Sequence, residues 1–189
     1  MIFGEPRRTL VLGGARSGKS AHAEGLLPGD EPAVYVATAY RDPHDADWQA
    51  RIAEHVERRP ASWHTAEPAA AELADLLHTA EPTDPPLLVD DLATWLTRAF
   101  DEANGWERDN LDRVRAARAR LAEAVAACRA RLVLVSAEVG LGIVPQTRSG
   151  RLFRDELGAL NAQLAEHCDE VVLLVAGIPL KLRTQGGSA

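Results

Sequence analysis

The feature that most constrains the fold is a glycine-rich segment near the start of the chain, VLGGARSGKSAHAE, residues 11–24. Gly13, four variable residues and then Gly18-Lys19-Ser20 have the spacing of a phosphate-binding loop of the Walker A type. An apolar run precedes the segment and a helical pattern follows it, which is the context that this motif requires. The segment therefore predicts a strand, a tight loop and a helix whose N-terminus faces bound phosphate.

The residues of this loop have separate expected roles. Glycine lets the backbone curl until successive N–H groups point at phosphate oxygens. Lys19 is expected to bridge the β- and γ-phosphates, and the Ser20 hydroxyl is expected to bind Mg²⁺. The alternative is a glycine-rich turn that binds nothing. The nucleotide-binding residues predicted from the loop are Gly13, Gly14, Ala15, Arg16, Ser17, Gly18, Lys19 and Ser20.

A second signal lies in the acidic pair of LLVDDLATWL, residues 87–96. Asp90 ends an apolar run, which is the position of the carboxylate that holds Mg²⁺ in phosphate-transferring proteins with such a loop. Asp91 stands directly before a helical pattern, where an aspartate is a favoured N-cap. We interpret Asp90 as a metal ligand and Asp91 as the cap; the alternative is that the pair only caps the helix.

Five short apolar runs, at residues 9–13, 33–38, 87–90, 131–136 and 170–176, read as buried strands. Their continuous apolar character indicates a sheet that is covered on both faces. Helical periodicity lies between them and is clearest over residues 109–129. This alternation predicts a three-layer α/β fold with a mostly parallel sheet. At 189 residues the chain fits one domain, 1–189, with a short flexible tail from about residue 183.

Composition narrows the choice of partners and compartment. The net charge is -7 and no long run of lysine or arginine occurs, so nucleic acid is not an expected partner. The most apolar stretch, residues 132–144, is too short to span a bilayer and contains Glu138. Cys128 and Cys168 have neither zinc-site spacing nor the density of a disulfide scaffold, which favours the reducing cytoplasm.

A histidine-containing segment, DADWQARIAEHVERRPASWHTAE, spans residues 45–67. Ile52, His55 and Val56 share one face of its helical first part, and Arg59-Pro60 ends that pattern. A histidine at the edge of an apolar helical face is more often structural than catalytic, and spacing alone does not decide between the two.

Six segments, in this order, carry a resemblance to a known family: GGARSGKSAHAE, VYVATA, RIAEHVERRPASWHTAE, LLVDDLATWL, SAEVGLGIVP and RLFRDELGALNAQLAE. From about Thr9 to Lys181 the chain resembles the bifunctional adenosylcobinamide kinases / adenosylcobinamide-phosphate guanylyltransferases. The resemblance implies a RecA-like P-loop fold, a homotrimer and two reactions. GTP or ATP phosphorylates adenosylcobinamide, and GMP then passes from GTP, through a guanylylated histidine, to adenosylcobinamide phosphate.

The resemblance also implies which residues do this work. The family nucleophile lies in an RI..H...RP setting, which corresponds here to His55. Glu54 stands where some members have a further histidine, so His64 is kept as the second candidate. Lys19 is the other expected catalytic residue. Residues at the ends of two further segments are expected to line the nucleotide site: Ala37, Thr38, Ala39 and Glu67.

Two later features have two interpretations each. Arg148, Arg151 and Arg154 recur every three residues and either meet substrate phosphate or form a solvated helix face. Asp155 and Asn161 match a family pattern in which a structural role and ligand contact are both open. Two rival functions also stay open: a P-loop small-molecule kinase without nucleotidyl transfer, and a nucleotide-binding module without turnover.

Overall fold

A computed structural model of the chain describes residues 7–39, 59–107 and 110–184. These residues form strands and helices that alternate along the chain, as the sequence predicts. In chain order they are β1 (Arg8–Gly13), α1 (Lys19–Glu24), β2 (Val34–Ala37), β3 (His64–Ala66), α2 (Ala70–Thr79), β4 (Leu87–Asp90), α3 (Leu92–Ala103), α4 (Leu111–Ala127), β5 (Leu132–Ala137), α5 (Arg148–His167), β6 (Glu170–Val175) and β7 (Ile178–Arg183).

The strands form a single sheet in the order β3-β2-β4-β5-β1-β6-β7. Every neighbouring pair is parallel except β6 and β7, which are antiparallel. β5 lies between β1 and β4, so one strand separates the loop strand from the strand that ends in Asp90. The predicted α/β fold with a mostly parallel sheet is confirmed.

Apolar side chains cover both faces of the sheet. Alternate residues of the strands, such as Leu10 and Val11, belong to two separate buried clusters. Helices α2 to α5 contribute to the larger cluster, whose fully buried side chains include Phe100 and Leu121. The smaller cluster receives Ala23 of α1. Burying one side chain of Leu or Phe size stabilises a fold by about 1.5–3 kcal/mol. The two clusters therefore hold the helices on each face against the central sheet, which gives three layers.

The five predicted strands agree with β1, β2, β4, β5 and β6 to within one residue at each end. Two strands were not predicted. β3 has only three residues, and β7 is exposed along its whole length, so neither has the continuous apolar pattern of a buried strand. The predicted helix over 109–129 is α4, and its stripe residues Val114, Leu121 and Val125 are fully buried. β7 ends at Arg183, where the flexible tail was expected to begin.

Both cysteine thiols are buried and free. Burial raises the pKa of Cys128, and it raises the pKa of Cys168 to about 12. Both thiols therefore stay protonated near neutral pH and are poor nucleophiles. In the part of the chain that the structure describes, none of the helices is long and apolar enough to cross a bilayer.

Candidate nucleotide-binding site

The loop between β1 and α1 has the backbone conformation that its glycines predicted. Gly18 caps α1 with φ +88°, in the left-handed region where glycine avoids the strain that a side chain causes. Gly13 is restricted by space instead. A Cβ atom on Gly13 would lie 2.3 Å from Ser17 Oγ and 3.1 Å from the Leu174 carbonyl oxygen. Glycine is therefore required at Gly18 by backbone conformation and at Gly13 by lack of space.

Neighbouring segments hold the loop in place through backbone hydrogen bonds. Ser17 N–H donates to the Gly14 carbonyl at 3.3 Å, within the loop. The Gly177 N–H, in the turn between β6 and β7, donates to the Ser17 carbonyl at 3.1 Å. The Glu138 N–H, just after β5, donates to the Gly13 carbonyl at 3.0 Å. The ends of β5 and β6 thus buttress the loop from both sides of β1.

The open side of the loop presents backbone and a cation. Gly14, Ala15, Arg16 and Gly18 are exposed, whereas Ser17 is buried. Lys19 and Ser20 are half-buried at the start of α1, with Lys19 Nζ 3.5 Å from the Gly14 carbonyl oxygen. Exposed N–H groups, a helix N-terminus and an ammonium group together make a surface that attracts phosphate.

The two acidic residues after β4 have different partners, and the predicted helix cap at Asp91 is present. Asp91 Oδ1 accepts from the Thr94 N–H at 2.8 Å, so Asp91 is the N-cap of α3. Asp90 Oδ2 accepts from the Tyr35 hydroxyl at 2.7 Å. Burial and then the charge of Asp90 raise the pKa of Asp91, and the Thr94 hydrogen bond and the Lys19 ammonium oppose that rise. The Lys19 charge therefore acts on Asp91.

The residues at the end of β2 lie beside this acidic pair. Ala37 is in register with Asp90, and Ala39 is half-buried. Thr38 is buried, and its hydroxyl donates to the Asp91 carbonyl at 2.6 Å. The Thr38 side chain therefore supports the turn that carries the acidic residues. Nucleotide contact by these three residues stays a prediction.

Glu67 and His64 lie at the far edge of the sheet. β3 is separated from β1 by β2, β4 and β5, a lateral distance of about 19 Å at ordinary strand spacing. Glu67 is exposed and follows β3 at the carboxyl end of the strands. His64 begins β3 in register with Val34, the first residue of β2, and so lies at the opposite end of the strands from the loop. His55, the first-choice nucleophile, lies outside the described residues.

Two later predictions now have structural explanations. The Asn161 side chain accepts from Ser136 Oγ at 2.6 Å and donates to the Ala137 carbonyl at 3.1 Å, so it ties α5 to the end of β5. Asp155 is exposed. The three regularly spaced arginines donate to backbone carbonyls around the β5–α5 connection: Arg148 to Trp106, Arg151 to Pro145 and Gln146, and Arg154 to Gly140. These contacts fix that connection in place.

The sequence pattern of one protein family matches residues 9–182, from the start of the loop strand almost to the end of β7. The family is described as "cobinamide kinase / cobinamide phosphate guanyltransferase". The match includes every site residue discussed above. The chain belongs to this family.

Curated relatives match this chain over nearly the full length of both proteins. The bifunctional adenosylcobalamin biosynthesis protein CobP of Pseudomonas aeruginosa is 43% identical over 177 residues, which cover 93% of this chain and 97% of that protein. The proteins of the same description named CobU are 39% identical in Escherichia coli and 41% identical in Salmonella typhimurium. Each match covers 92% of this chain and 98% of the relative.

A likeness to a solved structure is more distant. It concerns a prototypical ATPase from the type III secretion system of pathogenic bacteria, with 12% sequence identity and a TM-score of 0.49. The likeness covers 89% of this chain and 51% of that one.

The tight packing at Gly13 gives a first prediction for this family member. Gly13→Ala should lower the free energy of unfolding by about 1–3 kcal/mol, because the new methyl group would overlap Ser17 Oγ and press on the Leu174 carbonyl. Gly14→Ala is the matched control, since a Cβ there meets no atom within 4 Å. Urea unfolding without nucleotide measures both variants. Equal stability of the two variants would contradict the packing argument.

Proposed function

We propose that this protein phosphorylates adenosylcobinamide with a nucleoside triphosphate and then transfers GMP from GTP to adenosylcobinamide phosphate. The observation that carries the proposal is the loop itself: it follows β1 with Lys19 above it, and the acidic pair follows β4 at the same carboxyl edge of the parallel sheet. Open α/β sheets bind ligands at that edge. The relatives that match almost the whole chain are described as bifunctional adenosylcobalamin biosynthesis proteins.

We infer that Mg²⁺ is the metal of both reactions and that Ser20 and Asp90 are its protein ligands. Mg²⁺ in phosphate-transfer sites keeps several waters and uses one or two oxygen ligands besides the phosphates. A hydroxyl and a carboxylate are therefore a sufficient donor set. Among the described residues no group of three His, Cys, Asp or Glu side chains could hold a metal. When bound, the ion would neutralise charge on the transferring phosphates.

Lys19 and the loop position the triphosphate. Backbone N–H groups of the exposed loop residues hold phosphate oxygens, and the Lys19 ammonium stabilises the charge that spreads over the transferring group. Phosphoryl transfer needs little covalent chemistry from a protein, so orientation and charge supply most of the rate enhancement.

The guanylylation step needs a nucleophile, and we propose His55. A neutral imidazole nitrogen attacks the α-phosphorus of GTP, the bond to pyrophosphate breaks, and a P–N bond forms. A phosphate oxygen of adenosylcobinamide phosphate then attacks the same phosphorus, the P–N bond breaks, and the imidazole is restored. The position of His64, remote from the loop along both the sheet and the strand, supports the choice of His55.

We also propose that the protein is a homotrimer in the cytoplasm. Support for an assembly comes from apolar side chains that are exposed in the single chain, on β7 and in the β5–α5 connection: Ile178, Leu180, Leu182, Leu141 and Ile143. Exposed apolar patches of this kind mark protein interfaces or ligand sites. The two buried thiols remain free, which suits a reducing compartment.

Two assays on the purified protein test the proposed function. With GTP and Mg²⁺ but no corrinoid, intact mass should show a GMP-sized adduct that is labile in acid and stable in base, as a phosphoramidate is. With adenosylcobinamide and a triphosphate, the corrinoid should gain a phosphate. Phosphorylation without an adduct would favour the small-molecule kinase without nucleotidyl transfer. Tight GTP binding with neither product would favour the module without turnover.

A further inference from the structure

Tyr35 is a buried hydrogen-bond donor to the acidic residue of the site, and none of the roles proposed above includes it. It is only 3% exposed and packs in the smaller apolar cluster, among residues such as Val133 and Leu174. Its hydroxyl donates to Asp90 Oδ2 at 2.7 Å. Tyr35 lies on β2 in register with Leu88 of β4, so its ring reaches two residues along the neighbouring strand to Asp90.

A second contact holds the Tyr35 ring in place. The Arg59 guanidinium carbon lies 3.3 Å from the centre of that ring, which is cation–π geometry. Arg59 in turn donates to the Thr65 hydroxyl at 3.1 Å, on β3. The ring is therefore fixed from the β3 side while its hydroxyl is fixed by Asp90. Because both its ring and its hydroxyl are held, Tyr35 fixes the orientation of the Asp90 carboxylate.

Burial also keeps the phenol in its donating form. Burial of the Tyr35 side chain raises its pKa well above the ordinary range, and the charge of Asp90 and the shared hydrogen bond raise it further. The Arg59 charge opposes these effects. Within the described part of the chain, no group donates to the other oxygen of Asp90, Oδ1.

We propose that Tyr35 is a positioning residue for Asp90: its hydroxyl holds Oδ2, so that Oδ1 is presented to the metal ion of a bound nucleotide. The proposal rests on the proposed function, because it assigns Asp90 to the metal. Partners that orient a ligating carboxylate typically change metal affinity or activity by about 10–100-fold when they are removed.

Tyr35→Phe tests the proposal, because it removes only the hydroxyl and keeps the ring under Arg59. Mn²⁺ is the probe, and its free concentration is followed by electron paramagnetic resonance as it binds protein that is saturated with a non-hydrolysable GTP analogue. We expect the Mn²⁺ affinity of the variant to fall by about 10-fold or more. Nucleotide affinity without metal should be unchanged, and excess Mg²⁺ should restore much of the lost kinase rate.

Ser136→Ala is the matched control, since it also removes one buried hydroxyl from a side-chain hydrogen bond, here to Asn161. Urea unfolding should show a similar loss of stability in both variants, and only Tyr35→Phe should lose metal affinity. A double-mutant cycle that combines Tyr35→Phe with Asp90→Asn is a second test. If Tyr35 acts through Asp90, then Tyr35→Phe has no further effect on Mn²⁺ affinity in the Asp90→Asn background.

The outcomes distinguish failure of the role proposed for Tyr35 from failure of the proposed function. Wild-type Mn²⁺ affinity in Tyr35→Phe, with stability lowered as in Ser136→Ala, would overturn the role of Tyr35 and leave the proposed function standing. An equal loss of affinity with and without Asp90→Asn would overturn it as well. Absence of metal-dependent nucleotide binding in the wild-type protein would overturn the proposed function, and the role of Tyr35 with it.

Discussion

Replacing Lys19 with alanine is expected to lower kcat/KM by about 10²–10³-fold in both phosphoryl and guanylyl transfer. The ammonium group lies over the loop, 3.5 Å from the Gly14 carbonyl oxygen, and its charge acts on Asp91 after β4. In the proposed mechanism the negative charge of the transferring phosphate develops beside this ammonium group, and alanine leaves that charge without a cation. Corrinoid phosphorylation and formation of the GMP adduct are measured separately on the same preparation.

Lys181→Ala is the matched control for this experiment. Lys181 lies on the edge strand β7, is mostly exposed and forms an ion pair with Glu170 at 2.8 Å. Its loss removes the same side chain away from the loop and leaves the largely buried Glu170 carboxylate without its ion pair, so this variant also reports what a loss of stability alone does to the rates. We expect near wild-type rates. Equal losses in the two variants would show that general destabilisation explains the effect, and loss of only one reaction would show that the two reactions use different phosphate sites.

The parts of the fold that the sequence predicted are those in which local pattern and burial agree. Continuous apolar runs predicted the central strands because both faces of those strands are covered. The regularly spaced apolar residues of α4 predicted a helix with one buried face. β7 has no such pattern, because it is exposed and pairs on one side only, with β6. β3 has three residues, too few for a periodic signal. Edge strands depend on their neighbours more than on their own residues.

The same distinction applies to the candidate site. The loop and the cap at Asp91 follow from residues that are adjacent in sequence, and the structure has both, whereas the metal role of Asp90 stays a prediction. Tyr35 was read as part of an apolar strand, since nothing near it in the sequence indicates that its hydroxyl meets a residue 55 positions later. The Gly177 contact with Ser17 of the loop spans a much longer separation. Sheet topology creates both contacts, so only a three-dimensional structure shows them.

Replacing His55 with alanine is expected to abolish the covalent GMP adduct. In the proposed mechanism His55 supplies the nitrogen of the P–N bond, and the alanine side chain has no nitrogen to replace it. Transfer of GMP to adenosylcobinamide phosphate should fall on the order of 10⁴-fold or more, as removal of a covalent nucleophile does in other enzymes. Phosphorylation of adenosylcobinamide should persist, because that reaction depends on Lys19, Mg²⁺ and the loop, and needs no imidazole.

His64→Ala is the matched control, because His55→Ala and His64→Ala each remove one histidine from the same segment of the sequence. His64 is exposed at the start of β3, at the opposite end of the strands from the loop, so its loss should leave the adduct intact. An adduct that survives His55→Ala and disappears in His64→Ala would move the nucleophile to His64. It would also require β3 to leave its observed register with β2, since that register holds His64 level with Val34 and far from the phosphates. Adduct formation in both variants would place the nucleophile on neither histidine and contradict the assignment.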